Sequence, residues 1–200
     1  MTARPEDIPE QYEKHAQRWD LERPKALFEQ TWLDRFLAAT KAGTSLLELG
    51  PGAGEPITKY MIEQGYHVTG IDTSASMIAI CQKRFPDHDW HIGNMCALDF
   101  ELIFDGILAW DSFFHLKHSD QRAMFPLFSA HAKTGTTLMF TSGHEYGEAI
   151  GTLCGEPLYH ASLDTAEYQE LLNDNNFRVI DHIVEDKNCY GHTIWLAEYL

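Results

Sequence analysis

Paired cysteines are missing from this sequence. Cys81, Cys96, Cys154 and Cys189 stand singly, with neither the spacing of a zinc site nor the density of a disulfide scaffold. Their plain reading is as reduced core thiols of a cytoplasmic protein. Cations are scarce as well: 15 Lys and Arg face 30 Asp and Glu, for a net charge of −15. From Phe140 to Leu200 the balance is 11 acidic to 2 basic side chains. Such a field repels polyanions, which argues against nucleic acid or an anionic membrane as partner and for a neutral or cationic small molecule. No apolar run approaches the ~20 residues of a membrane span. Residues 1–20 are polar and helix-prone, without the apolar centre of a signal peptide. Internal repeats and low-complexity segments are absent too.

What is present is the composition of one globular domain over residues 1–200: 44% hydrophobic and 22% charged. Pro24 is placed to open a helix reaching about Thr40, in which Phe28, Trp32 and Phe36 recur every four residues beside Leu33 and Leu37. "KAGT" ends it. "SLLEL" (45–49), short, apolar and bounded by glycine, predicts a buried strand. A helix over 55–64, a strand over 67–71 and a helix capped by Thr73 or Ser74 and running to Phe85 follow. Further strands are predicted at 89–93, 104–110 and 136–142, with a helix between the last two, capped by Ser119, ending near Ala132 and kinked by Pro126. Asp164 and Glu167 have the spacing of a capping box. The last strands, 178–185 and 192–198, are joined by a short polar turn and so pair antiparallel. Strands alternating with helices predict an α/β fold, a mostly parallel sheet with helices on both faces. One connection is long: Thr141 to Ser162, with Gly143, Gly147, Gly151 and Gly155 at regular intervals, predicts a docked binding loop.

The chemistry concentrates in "LLELGPGAGEPIT" (46–58). Glu48 closes an apolar strand immediately before Gly50, Gly52 and Gly54. Glycines there let the backbone turn sharply and approach a ligand, and a half-buried carboxylate needs a compensating partner. In an open parallel sheet, ligands bind at the carboxyl ends of the strands where the order reverses. That crevice collects the tips of the first three strands: Glu48-Leu49-Gly50, Gly70-Ile71-Asp72 and Gly93-Asn94-Met95. Asp72 can accept both hydroxyls of a ribose, or simply serve as a turn or cap residue before Thr73. The dinucleotide fingerprint needs a glycine where Glu55 stands. A carboxylate in that place opposes a pyrophosphate, and no Lys or Arg occurs from Glu48 to Thr58. The crevice suits a nucleoside ligand without phosphates, and a positive charge on it would answer Glu48.

"LLELGPGAG", "VTGIDTSASMI", "GNMCALDF", "FDGILAWDSFFHL" and the closing antiparallel pair together resemble a class I S-adenosylmethionine-dependent methyltransferase over essentially the whole chain. The resemblance implies a doubly wound, seven-stranded sheet of order 3-2-1-4-5-7-6. It implies S-adenosylmethionine as cofactor, S-adenosylhomocysteine as product and a small-molecule methyl acceptor. By the same resemblance Gly50, Gly52 and Gly54 approach the methionine moiety, Glu48 balances its ammonium, and Asp72 with Thr73 holds the ribose. Met77 lines the adenine, and Asn94, where many members have Asp, receives its amino group beside Met95. Ala109, Trp110 and Asp111 flank the methionine end. Residues 1–40 form a helical cap, with Tyr12, Trp19 and Arg23 closing over the cofactor and Arg23 meeting its carboxylate; core packing for Trp19 and a surface ion pair for Arg23 are the plainer alternatives. Residues 141–162 are a substrate-side loop. The sulfonium is already an activated electrophile, so a general base is needed only when the acceptor must lose a proton. His115 is the first candidate, followed by His144, Glu145, Tyr159 and His160, against the ordinary structural role of most histidines. Phe113, Phe114, Tyr146 and Tyr159 give the mouth an apolar, aromatic character. Metal ligation by His144, Cys154 and His160 lacks a recognised spacing and is rejected. Two other readings stand beside methyl transfer: a nicotinamide-dependent oxidoreductase, disfavoured by Glu55 and by the lack of a Tyr-x-x-x-Lys pair, and a non-catalytic cofactor-binding module.

Overall fold

The computed structural model describes residues 3–40 and 44–200, so the Lys41-Ala42-Gly43 part of the expected helix stop lies outside the described residues. The apolar runs become strands β1 (Ser45–Leu49), β2 (His67–Asp72), β3 (Asp89–Ile92), β4 (Phe104–Ala109) and β5 (Ala132–Ser142). Near-continuous hydrophobicity is what a strand buried on both faces requires. With β8 (Phe177–Asp186) and β9 (His192–Tyr199) they form one sheet of order β3-β2-β1-β4-β5-β9-β8. The first five run parallel, and β9 lies antiparallel to both its neighbours. With the two strands of a separate hairpin set aside, this is the expected order 3-2-1-4-5-7-6.

The pleat sends alternate side chains to opposite faces. Along β1, Leu46 joins one core while Leu47 and Leu49 join the other; along β9, Ile194 and Leu196 oppose Trp195 and Ala197. One core packs Trp32, Leu33 and Phe36 of α2 (Gln30–Ala39), Met61 of α3 (Ile57–Glu63) and Ile78 of α4 (Ala75–Arg84) against the sheet. The other is aromatic, with Phe125 and Phe128 of α5 (His118–Ala130) and Tyr168 of α6 (Thr165–Asp174) against Phe140 and Trp195. Ser74 caps α4 by accepting the Met77 N–H at 3.1 Å, and Asp164 caps α6 by accepting that of Glu167 at 2.8 Å. Among the described residues no helix is long and apolar enough to cross a membrane.

Three expectations need correction. Pro24 does not open α2, which begins at Gln30; it ends α1 (Ile8–Glu22), because a residue before proline is driven out of helical geometry, and Arg23 is extended at φ −61°, ψ 127°. Phe28 consequently lies outside the helix. Ser119 does not cap α5, whose N-cap is Lys117; the Ser119 hydroxyl reaches Asp120 instead. The predicted loop at 141–162 is largely a β-hairpin, β6 (Gly147–Leu153) paired with β7 (Glu156–Ser162). Its two-residue turn places Cys154 at φ 52° and Gly155 at φ 90°, the left-handed pair that a tight hairpin demands.

The hairpin turn docks on α1. Gln11 donates to the Pro157 carbonyl at 2.9 Å, Lys14 pairs with Glu156 at 2.5 Å, and Arg18 reaches the Cys154 carbonyl at 3.5 Å. On its opposite side α1 is fastened to α4 by Glu13, which accepts the Ser74 hydroxyl at 2.6 Å and the Ser76 N–H at 2.9 Å. The same helix roofs the cleft at the strand tips.

Candidate functional site

At the end of β1 the chain turns through Gly50 at φ +77°. A Cβ there would stand 2.5 Å from that of Ser112, whose hydroxyl donates to the Leu49 carbonyl at 2.5 Å. The Gly50 N–H donates to the Ile71 carbonyl at 2.9 Å, so the turn is pinned between the tips of β2 and β4 and only glycine fits. Gly52 follows at φ +55°, its N–H donating to Asp72 at 3.2 Å. The other oxygen of Asp72 accepts the Ser74 N–H at 2.9 Å. Burial pushes the Asp72 carboxyl above the ordinary carboxylate range against the pull of these backbone bonds.

Above this turn lies a cleft of about 290 Å³. Glu48, Gly50, Gly52, Asp72 and Thr73 line it from β1 and β2. Asn94 and Met95 line it after β3, while Trp110, Asp111 and His115 do so after β4. Tyr12, Trp19 and Arg23 come from α1 and its end. Three expected cofactor residues are not in the lining. Gly54 is packed beneath α4, where a Cβ would meet Phe85 at 2.9 Å. Met77 is fully buried with Ala16 and Ala53 under α1, and Ala109 is fully buried in the sheet core, because the pleat turns it away from the tip. Asn94 uses its side-chain oxygen to accept the Cys96 N–H at 2.9 Å.

Glu48 is 4% exposed. The Thr58 hydroxyl donates to it at 2.7 Å, and among the described residues it forms no ion pair. Burial pushes its pKa up to about 7. A buried carboxylate without an ion-pair partner, beside a glycine turn that carries no Lys or Arg, is electrostatically complementary to a positively charged ligand.

His115 is held from both sides. Its Nδ1 is 3.0 Å from the Tyr159 carbonyl, which can only accept, so Nδ1 carries the proton. Its Nε2 is then free to accept the Tyr12 hydroxyl at 2.9 Å. Burial, the largest cause, holds the imidazole down at about 4, and burial likewise raises the Tyr12 phenol. The other catalytic candidates stand outside the cleft. His160 packs its ring on Phe114 and His115, with centroids 4.9 and 5.0 Å apart. The Tyr159 hydroxyl points away to Glu148 at 2.7 Å. His144 is exposed, 3.7 Å from Glu145 and 3.6 Å from Glu185. Of the aromatics expected at the mouth, Phe113 is core and Tyr146 stacks on His118. Among the described residues no three His, Cys, Asp or Glu side chains converge as metal ligands would.

Two residues behind the lining carry no mark in the sequence. Glu29, just before α2, is fully buried and accepts from Arg23 at 3.1 Å. His192, at the start of β9, lies 2.8 Å from Asp111. Nothing local marks either residue, because each contact joins separate elements. Among the described residues the buried Trp110 indole N–H and one buried Glu29 oxygen find no hydrogen-bond partner.

A family model described as a methyltransferase domain matches residues 46–135, from β1 into β5. An uncharacterized methyltransferase of Alkaliphilus oremlandii is 29% identical over 134 residues, covering 64% of this chain. The chain spans only 62% of the length of that relative. Among solved structures, an S-adenosylmethionine-dependent methyltransferase from Clostridium acetobutylicum superposes with a TM-score of 0.72 at 12% identity, covering 94% of this chain and 98% of that one. A Burkholderia thailandensis 1,6-didemethyltoxoflavin-N1-methyltransferase gives 0.71 at 18% identity, covering 98% and 86%. At these identities the structural likeness is one of fold.

Proposed function

We propose that this chain is a class I S-adenosylmethionine-dependent methyltransferase that moves a methyl group from that cofactor to a small neutral or cationic acceptor, a reading the domain match and the fold support. Glu48 carries the reading: a buried carboxylate with a hydroxyl but no cation, beside a turn where only glycine fits. The fit to the cofactor is chemical. Asp72 presents a half-buried carboxylate at the tip of β2, where it could accept ribose hydroxyls, and the absence of Lys or Arg from Glu48 to Thr58 disfavours a pyrophosphate, Glu55 itself being paired with Lys25 and Lys59 at 3.5 Å each. Asn94 and Met95 would take the adenine end. Trp19, Arg23, Trp110 and Asp111 would take the amino-acid end, with Arg23 toward its carboxylate. When bound, the cofactor supplies an electrophilic methyl group.

The protein's own part is to align the acceptor, exclude water and manage one proton. Tyr12 and His115 form the path for that proton. A proton leaving an acceptor bound at the Tyr12 oxygen passes to that oxygen as Tyr12 hands its own to His115 Nε2, while Nδ1–H stays on the Tyr159 carbonyl. Burial holds this imidazole down at about 4, so the imidazolium lasts only until the product leaves, when Nε2 returns the proton through the Tyr12 oxygen to solvent. On the lining the Glu6 carboxylate opposes an anionic acceptor, while Asp120 is paired with Lys117 and Asp111 with His192. The Burkholderia relative, described with 1,6-didemethyltoxoflavin and S-adenosylhomocysteine bound, supports a small acceptor.

Calorimetry with S-adenosylhomocysteine and NADH tests the cofactor. Uptake of the first and not the second is expected, and the reverse would restore the oxidoreductase reading. Label transfer from methyl-labelled cofactor into a pool of cell metabolites then separates an enzyme from a non-catalytic module.

A further inference from the structure

We infer that His192 is a positioning residue: as an imidazolium it neutralises Asp111 and so leaves Arg23 free to receive an anionic group of the bound ligand. The identity of that group, the carboxylate at the amino-acid end of the cofactor, rests on the methyltransferase reading.

The argument begins with the partners of the ring. Nδ1 lies 2.6 Å from the Cys189 carbonyl and Nε2 lies 2.8 Å from Asp111 Oδ1. Both partners offer only lone pairs. A neutral imidazole carries one N–H, so either neutral tautomer would set a ring lone pair against an oxygen lone pair at one end. Only the doubly protonated ring satisfies both contacts. Its pKa is raised accordingly: burial opposes the charge, but the Asp111 bond, the Asp111 charge and the Cys189 carbonyl together outweigh it.

The Asp111 backbone is fixed at the tip of β4. Its backbone stands in the left-handed region at φ 51°, with its N–H donating to Thr141 Oγ1 at 2.9 Å. Its second oxygen is 3.8 Å from Arg23, whose other guanidinium nitrogen donates to buried Glu29 at 3.1 Å. Arg23 therefore sits between two carboxylates. With His192 charged, Asp111 is already satisfied and the guanidinium keeps capacity for a ligand. Without that charge, Asp111 draws on Arg23 alone. The remaining groups near His192 do not replace it. Burial pushes the Cys189 thiol up to about 12, Asp186 is taken by the Trp32 indole N–H at 2.8 Å, the Trp110 and Phe28 rings pack against the imidazole, and the Glu29 charge, held by Arg23, also favours the imidazolium.

The test compares S-adenosylhomocysteine with 5′-methylthioadenosine, which keeps the thioadenosine part and lacks the amino acid, by calorimetry from about pH 6 to about pH 9. Wild-type protein should lose affinity for the first ligand on the alkaline side and hold it for the second. In His192→Gln, affinity for S-adenosylhomocysteine should fall roughly tenfold near neutrality and lose that alkaline limb, as one charge-assisted contact is removed. The second ligand should change less than about twofold. Equal weakening of both ligands, or an alkaline limb retained in the variant, overturns the inference. A readout free of ligand is the ring nitrogen spectrum of His192 in the wild-type protein: both nitrogens protonated at neutral pH support it, and a neutral ring there overturns it. Failure of the wild type to take up either ligand removes the methyltransferase reading and the assignment of the carboxylate. The ring spectrum still decides the charge.

Discussion

Replacing Glu48 with Gln should make the protein more stable and a worse binder. Burial raises the Glu48 carboxyl from the ordinary 4.5 to about 7. The unfolded chain gives up this proton near 4.5, whereas the folded chain holds it to about 7, so stability is lost as pH rises through that window. The full difference corresponds to ~3 kcal/mol above the window, an upper figure that water entering the cleft would reduce. Gln cannot titrate, and its carbonyl can accept the same Thr58 hydroxyl. Urea unfolding followed by tryptophan fluorescence should therefore show little difference between variant and wild type at about pH 4 and a variant advantage of ~1–3 kcal/mol at about pH 8. Binding should move the opposite way: S-adenosylhomocysteine should bind the variant at least tenfold more weakly, the loss of one buried charge contact. In the wild type that binding should release a proton near neutrality, seen as a dependence of the calorimetric heat on buffer ionisation. A stability difference that stays flat with pH, or unchanged affinity in the variant, would refute the argument that Glu48 awaits a cation.

Other outcomes follow from the same geometry. Tyr12→Phe removes the hydroxyl given to His115 and should lower turnover by ~10²-fold while S-adenosylhomocysteine affinity, measured by calorimetry, stays within about threefold. Gly50→Ala forces a methyl group against Ser112 in a left-handed backbone and should cost ~1–3 kcal/mol in denaturant unfolding. Asp72→Asn keeps an acceptor for one of the two backbone N–H groups but loses the charge; cofactor affinity should drop ~10-fold or more, read by the same titration.

How much of this was legible depended on how locally each feature is written. "SLLEL" and "FDGILA" announce themselves because strands buried on both faces carry unbroken apolar runs. The glycine turn and Asp72 were readable because a backbone forced to φ +77° leaves little but glycine, and because the strand tip follows from the strand. The β6–β7 hairpin was hidden: β6 is mostly exposed, so its hydrophobic alternation is weak, and its glycines read as loop. Pro24 misled because the same residue serves at the start of one helix and after the end of another. Met77 and Ala109 sit at the right distance along the chain, but their direction is decided by the helix face and the pleat. Glu29 and His192 have no local signature at all; their meaning arises only when α1, β4 and β9 meet.

The roof of the cleft has two moorings, Glu13 to the start of α4 on one flank and the Gln11, Lys14 and Arg18 contacts to the hairpin turn on the other. A cover tied along both flanks does not swing like a door. Whatever enters or leaves must loosen contacts to two shores, residues 74–76 and residues 154–157, which lie 78 positions apart at the nearest (154 − 76). On the methyltransferase reading, Lys14→Ala should therefore speed the dissociation of S-adenosylhomocysteine, measured by stopped flow.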